Sequence, residues 1–190
     1  EAAGTVGFVF RNKVTGALTG KETVPWEGTR TVKPISLNLK NDRLSIVDYN
    51  KSGDAAQQHC MTAENYADGE KRTLKVSFED TDAGVKINAY IDEEHVAKDK
   101  IVDTAGLKGE GLFGVWTHND DSSVTLHSFT AQDPAVEEPT PPVIPNLPEN
   151  ENLLLGSADS WKYGTKDGGT ASIADNALTV SGKSGIATYT

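Results

Sequence analysis

Apolar and polar residues alternate with a period of two along most of the chain. Val6, Phe8 and Phe10 alternate with Gly7, Val9 and Arg11, and Ile35, Leu37 and Leu39 alternate with Ser36, Asn38 and Lys40. Asn41-Asp42 then predicts a tight turn into Leu44 and Ile46, closing a hairpin. A second hairpin is predicted from Leu74, Val76 and Phe78, through Asp80-Thr81-Asp82-Ala83-Gly84, back along Val85, Ile87, Ala89 and Ile91. Two runs follow, Gly111–Thr117 and Ser123–Thr130, separated by Asn119-Asp120-Asp121. Near the end, Thr170–Ala174, an Asp175-Asn176 turn, Leu178 with Val180, and Ile186–Tyr189 repeat the style. No stretch holds a helical period over three turns, and Ala55–Tyr66 is the best candidate for a short helix or loop. Successive side chains of a strand point to opposite faces, so these patterns predict an all-β fold, an antiparallel two-sheet β-sandwich.

Proline breaks the pattern once. Six of the eight prolines lie between Pro134 and Pro148, among Glu137, Glu138 and other polar residues. Proline has no N–H for a helix or sheet, so residues 133–151 read as an extended linker. It divides residues 1–132, most of a sandwich, from residues 152–190. A segment of about 40 residues rarely builds a core alone. The tail strands are therefore expected to complete the same sandwich, or that of a neighbouring copy, which makes self-association through the tail a second expectation.

Composition narrows the chemistry. The 190 residues carry 18 Lys and Arg against 28 Asp and Glu, a formal net charge of −10. With no basic run, nucleic acid and anionic membrane are poor partners. No apolar run approaches the roughly 20 residues of a membrane span. Cys60 is the single cysteine, which excludes an internal disulfide framework and a cysteine-based zinc site. The opening Glu1-Ala2-Ala3-Gly4 resembles neither an initiator nor a signal peptide, and reads as a processed chain or a fragment.

Enzyme signatures are not found. There is no Gly-x-Ser-x-Gly elbow and no His-Glu-x-x-His pair, and His59, His95, His118 and His127 are scattered. Glycoside hydrolysis needs two carboxylates across a cleft, and neither Glu-x-Asp-x-x-Glu nor Glu-x-Asp-x-Glu occurs. The chain is read as no enzyme. Binding chemistry is better placed. Period two sets Arg11 opposite Phe8 and Phe10, Trp116 opposite Phe113 and Val115, and Tyr49 opposite Leu44 and Ile46. Arg11, Tyr49 and Trp116 are expected to share one exposed patch, where rings stack on a sugar and a guanidinium bonds hydroxyls in pairs. Trp26, on the loop Val24–Gly28, and His118 complete the candidate binding set. Asp80 with Asp82, or Asp120 with Asp121, are candidate oxygen ligands for a structural calcium ion; no other cofactor is indicated.

The segments Gly4–Arg11, Leu44–Tyr49, Leu74–Val76, Val85–Asp92 and Gly111–Trp116 stand in an order that resembles concanavalin A-like jelly rolls. The nearest likeness is to the non-catalytic sugar-binding modules attached to levanases and other fructan-degrading enzymes. The resemblance covers most of 1–132. It implies a jelly roll that binds a glycan, a fructan or another plant or bacterial polysaccharide, and that is secreted or held at a bacterial cell surface. It also implies that Arg11 faces the pocket and that Tyr49 and Trp116 line it. One departure matters. The segment that usually opens such domains resembles Asn152–Leu154, Trp161 and Asn176–Gly182, which lie here behind the linker, and one further strand is absent from both parts. The order implies a circular permutation or a cut through a tandem array. The alternative function is a structural or adhesive repeat that assembles by strand complementation.

Overall fold

The computed structural model describes residues 1–14, 32–40, 43–59, 66, 68–132, 161–165, 168–175 and 177–189. It is a β-sandwich of two antiparallel sheets, and no α-helix occurs among the described residues. The larger sheet contains β1 (Ala2–Ala3), β2 (Val6–Asn12), β3 (Ile35–Lys40), β4 (Arg43–Asp48), β5 (Gln57–His59), β9 (Leu112–Leu126), β10 (Trp161–Thr165), β11 (Thr170–Ala174) and β12 (Ala177–Tyr189). Its strands run β10-β12-β9-β2-β3-β4-β5, with β1 beside β9 and β11 beside β12. The smaller sheet is β6 (Leu74–Thr81), β7 (Gly84–Ile91) and β8 (Glu94–Val102).

The core lies between the sheets and follows the alternation. Val6, Phe8, Ile35, Leu37, Leu39, Leu44 and Ile46 come from the larger sheet, and Val85, Ile87, Ala89, Ile91, Val96, Ala97 and Val102 from the smaller. Fully burying a side chain of this size stabilises the fold by about 1.5–3 kcal/mol. An aromatic group closes one side: Phe113 stacks on Phe129 at 4.4 Å, and Trp161 meets Phe129 and Tyr189 edge-on at 6.1 and 5.2 Å. Both predicted hairpins are present, as β3–β4 with Ile35 opposite Asp48 and as β6–β7 with Leu74 opposite Ile91. The second turn needs Gly84, whose φ is +137° and where a Cβ would stand 2.3 Å from the Val102 carbonyl oxygen. The turn residues Asn41 and Asp42, the linker 133–151 and Asn176 lie outside the described residues.

The tail strands belong to the larger sheet. β12 pairs with β9 from Leu178 opposite Leu126 to Thr188 opposite Gly114. The break expected at Asn119-Asp120-Asp121 is a bulge inside one long strand. Between the pairs Ser181–Ser123 and Lys183–His118, residues 119–122 of β9 stand against Gly182 alone. Asp48, at the end of β4, is bonded to the segment that follows β8. It is buried, accepts hydrogen bonds from the Asn50 backbone N–H (3.0 Å) and side-chain amide (2.8 Å), and is bonded by the Thr104 hydroxyl. In the region read as a short helix or loop, Gly53–Ala56 forms a 3-10 turn that leads into β5.

Candidate functional site

On its face away from the core, the larger sheet carries an unusual set of side chains. Strand register puts Gly114, Val9, Ser36 and Val47 in one cross-strand row, and Trp116, Gly7, Asn38 and Ser45 in the next. Sequence alternation reads these as solvent positions. Instead Val9, Ser36, Asn38, Ser45, Val47 and Trp116 are all buried. A buried polar side chain needs a partner, and these have them. Trp116 donates its indole N–H to the Ser36 hydroxyl (3.3 Å), Ser36 donates to the Asn38 carbonyl oxygen (2.5 Å), and the Asn38 amide donates to the Tyr49 hydroxyl (3.3 Å). Burial pushes the Tyr49 phenol above the usual tyrosine range, and the Asn38 amide offsets part of that rise by stabilising the phenolate.

The series holds together because Gly7 lies under the indole. A Cβ there would stand 2.0 Å from Trp116 Nε1, so the ring occupies the space a side chain would take. His118 meets Trp116 edge-on, with centroids 6.1 Å apart, and is exposed. Tyr49 is half-buried at the opposite end. The structure thus unites three of the five candidate binding residues, Tyr49, Trp116 and His118. Two residues that sequence reasoning missed, Ser36 and Asn38, connect them. The available signal was compositional: a solvent row of a strand usually carries long charged side chains, whereas Ser36, Asn38 and Ser45 are short and hydrogen-bonding.

The expected exposed patch of Arg11, Tyr49 and Trp116 needs two corrections. Trp116 is 3% exposed, so neither ring face is open for stacking. Arg11 is not on this face. The register between β2 and β9 shifts between Val9 and Asn12, and Arg11 adopts a φ of +56°. The bulge breaks the alternation and turns the guanidinium to the Phe10 side of the strand. There it lies 3.4 Å from Asp80 and over the Phe78 ring at 5.6 Å. Trp26 lies outside the described residues.

One of the calcium candidates, Asp80, is engaged by other groups. Asp80 takes the Arg11 ion pair and accepts the Gly109 N–H at 2.7 Å, while Asp82, Asp120 and Asp121 are exposed. No group of three or more His, Cys, Asp or Glu side chains able to hold a metal occurs among the described residues. Nor is any described helix long and apolar enough to cross a membrane.

Two concavities lie elsewhere. A cleft of about 300 Å³ opens between the sheets, walled by Phe8, Phe10 and Phe113 on one side and Leu74, Val76 and Ile91 on the other. A shallower hollow on the outer face of the smaller sheet is lined by Thr73, Lys75, Tyr90, Asp92 and Glu93, with the His95 ring stacked on Tyr90 at 4.2 Å. No family model, curated protein or solved structure matches this chain.

Proposed function

We propose that this protein is a non-catalytic carbohydrate-binding module of jelly-roll type, acting outside the cell or at its surface. The observation that carries this reading is the hydrogen-bonded series Trp116–Ser36–Asn38–Tyr49 on the non-core face of the larger sheet. A sugar offers hydroxyls that both donate and accept, together with apolar ring faces. Hydroxyl, amide and imidazole groups beside an aromatic ring match both features. Tyr49 and His118, at the two accessible ends, are the groups that touch the glycan, while Trp116, Ser36 and Asn38 are positioning residues that fix them. The resemblance to modules of fructan-degrading enzymes supports a polysaccharide ligand, and the order of the segments supports a permuted or tandem arrangement.

Affinity electrophoresis through gels containing levan and a panel of plant and bacterial polysaccharides tests the assignment. At least one should retard the protein without being cut. Tyr49→Ala and His118→Ala should each weaken retention by about tenfold, taking the lower half of the 1–3 kcal/mol known for base stacking on an aromatic ring. Arg11→Gln should leave it unchanged. Migration unaffected by every polysaccharide, or retention indifferent to both ring deletions, overturns the reading.

A second reading rests on a different observation. β12 supplies β9 with a partner over most of its length. A tail that can leave its own sheet could enter another copy's, giving a structural or adhesive assembly by strand exchange.

A further inference from the structure

Among the described residues, the smaller sheet has an open edge along β6. Among the described residues β6 pairs with β7 alone, from Leu74 opposite Ile91 to Thr81 opposite Gly84. Its other edge presents the unpaired N–H and C=O groups of an eight-residue strand. Natural edges are usually blunted by shortness, proline, a bulge or an inward-pointing charge. β6 is long, has no proline and keeps an unbroken register with β7. Its side chains alternate cleanly: Lys75, Ser77 and Glu79 are exposed, and Leu74, Val76 and Phe78 face inward but are only half-buried.

Leu74 and Val76 line the cleft of about 300 Å³, whose far wall is Phe8, Phe10 and Phe113 with residues 124–130, whereas Phe78 packs against Phe10 beneath the Arg11 guanidinium. By volume the cleft has room for about two groups the size of a benzene ring, between the apolar walls just named and the polar Glu70, Lys71, Arg72 and Thr73 that also line it. Side chains on one face of a strand recur every second residue. An unpaired backbone edge beside a cleft of that size therefore matches a single additional strand. We propose that β6 is a docking edge for an extended peptide segment of another protein, which adds as an antiparallel strand and places alternate apolar side chains in the cleft.

The occupant follows from the walls. Phe129, stacked on Phe113, lines the same cleft as Leu74 and Val76, so the inward side chains of an added strand meet an aromatic wall. On the outer face, Glu79 is already bonded to Lys86. Lys75 lies 6.0 Å from the Tyr90 ring centre and favours an acidic residue opposite it. Main-chain hydrogen bonds supply the affinity and the alternate side chains the selectivity. This inference is independent of the glycan reading, which concerns the other sheet.

The test uses the full chain and an eight-residue peptide with valine and phenylalanine alternating with threonine and glutamate. A cationic peptide is avoided because a net charge of −10 attracts it without specificity. Titration followed by amide NMR should saturate, shift the Leu74–Thr81 amides, and raise their protection from hydrogen exchange. The same peptide N-methylated at alternate amides keeps its side chains but loses the ladder, and should bind at least about tenfold more weakly. Val76→Lys, which leaves β6 paired to β7 but charges the cleft, should weaken the parent peptide by a similar factor. Absence of saturable binding, equal affinity of the N-methylated peptide, or shifts confined to residues away from β6 overturns the proposal. So does a free protein that is dimeric by light scattering and turned monomeric by Val76→Lys, because the occupant is then a second copy.

Discussion

Replacing Gly7 with alanine puts a methyl carbon 2.0 Å from Trp116 Nε1 and 2.1 Å from Cε2, well inside van der Waals contact. Both atoms belong to a rigid indole that is 3% exposed, so the ring must move as a unit. Overpacking of this kind costs about 1–3 kcal/mol. Displacing the ring also breaks the 3.3 Å bond to Ser36, a net loss of about 1 kcal/mol. Alanine restricts the unfolded chain more than glycine does, which returns about 0.4–1 kcal/mol. The balance is a loss of about 2 kcal/mol, which in a protein of this length lowers Tm by about 4–8 °C. Urea titration with tryptophan emission reads both parts, since Trp116 is one of three tryptophans and its environment changes with the ring. The pairing itself is read by a double-mutant cycle. Gly7→Ala combined with Trp116→Leu should be less destabilised than the sum of the two singles by about 1 kcal/mol or more. If Gly7→Ala melts with the parent, or the two changes simply add, the indole does not rest on Gly7.

Two further outcomes are expected. Tyr49 should ionise later than an ordinary tyrosine, because burial raises its pKa from 10.0; its stabilising contribution is complete below about pH 10 and is lost as pH rises through the folded-state value. Tyrosinate difference absorbance should lose one late-titrating group in Tyr49→Phe, while Tyr163, whose pKa burial also raises, still titrates late, and the stability of that variant should decline less above about pH 10; a late phase unchanged in Tyr49→Phe refutes this. A chain ending at Asp133 leaves β9 without β12 and removes Leu178, Val180 and Ala187 from the core. It should aggregate or lose its cooperative melt. A stable monomeric fragment with a sharp transition would show that the tail is dispensable, and oligomers of the intact chain by light scattering would favour strand exchange.

The strands that sequence reveals are those whose alternation holds over most of their length, among them β2, β3, β4, β6, β7 and β11. β8 escapes because Val96 and Ala97, adjacent in sequence, are both buried. The register with β7 slips on either side of Ala89, and Asp99 adopts a φ of +47° with its N–H on the Asn88 side chain. Arg11 is misplaced by the same kind of event, since a bulge is a tertiary fit that period-two counting cannot anticipate. It is accommodated by Gly111, where a Cβ would stand 2.6 Å from the Arg11 Cα. The candidate site is legible residue by residue but not in its exposure. Alternation puts Trp116 on the right face, yet a face being opposite the core does not make it open, and only coordinates show Val9 and Ser36 buried beside it.

The position of β9 also sets the order in which the molecule can assemble. β9 is flanked by β2 and β12, so the middle of the larger sheet is sealed by a strand that emerges about 100 residues after its neighbour β2. The bond from the Thr5 N–H to the Ser122 hydroxyl spans 117 positions. Closing so large a loop must precede the contacts that reward it, which places folding in the slow range of about milliseconds to seconds. During synthesis, a nascent chain that has exposed β2, β3 and β4 but not yet β9 has β2 paired with β3 on one side and open on the other, bearing Val6, Phe8 and Val9. At about 5–20 residues per second that interval lasts several seconds or more. The most vulnerable stage in the life of this protein is therefore on the ribosome, and its yield on expression should depend on translation rate and on chaperones that cover β2.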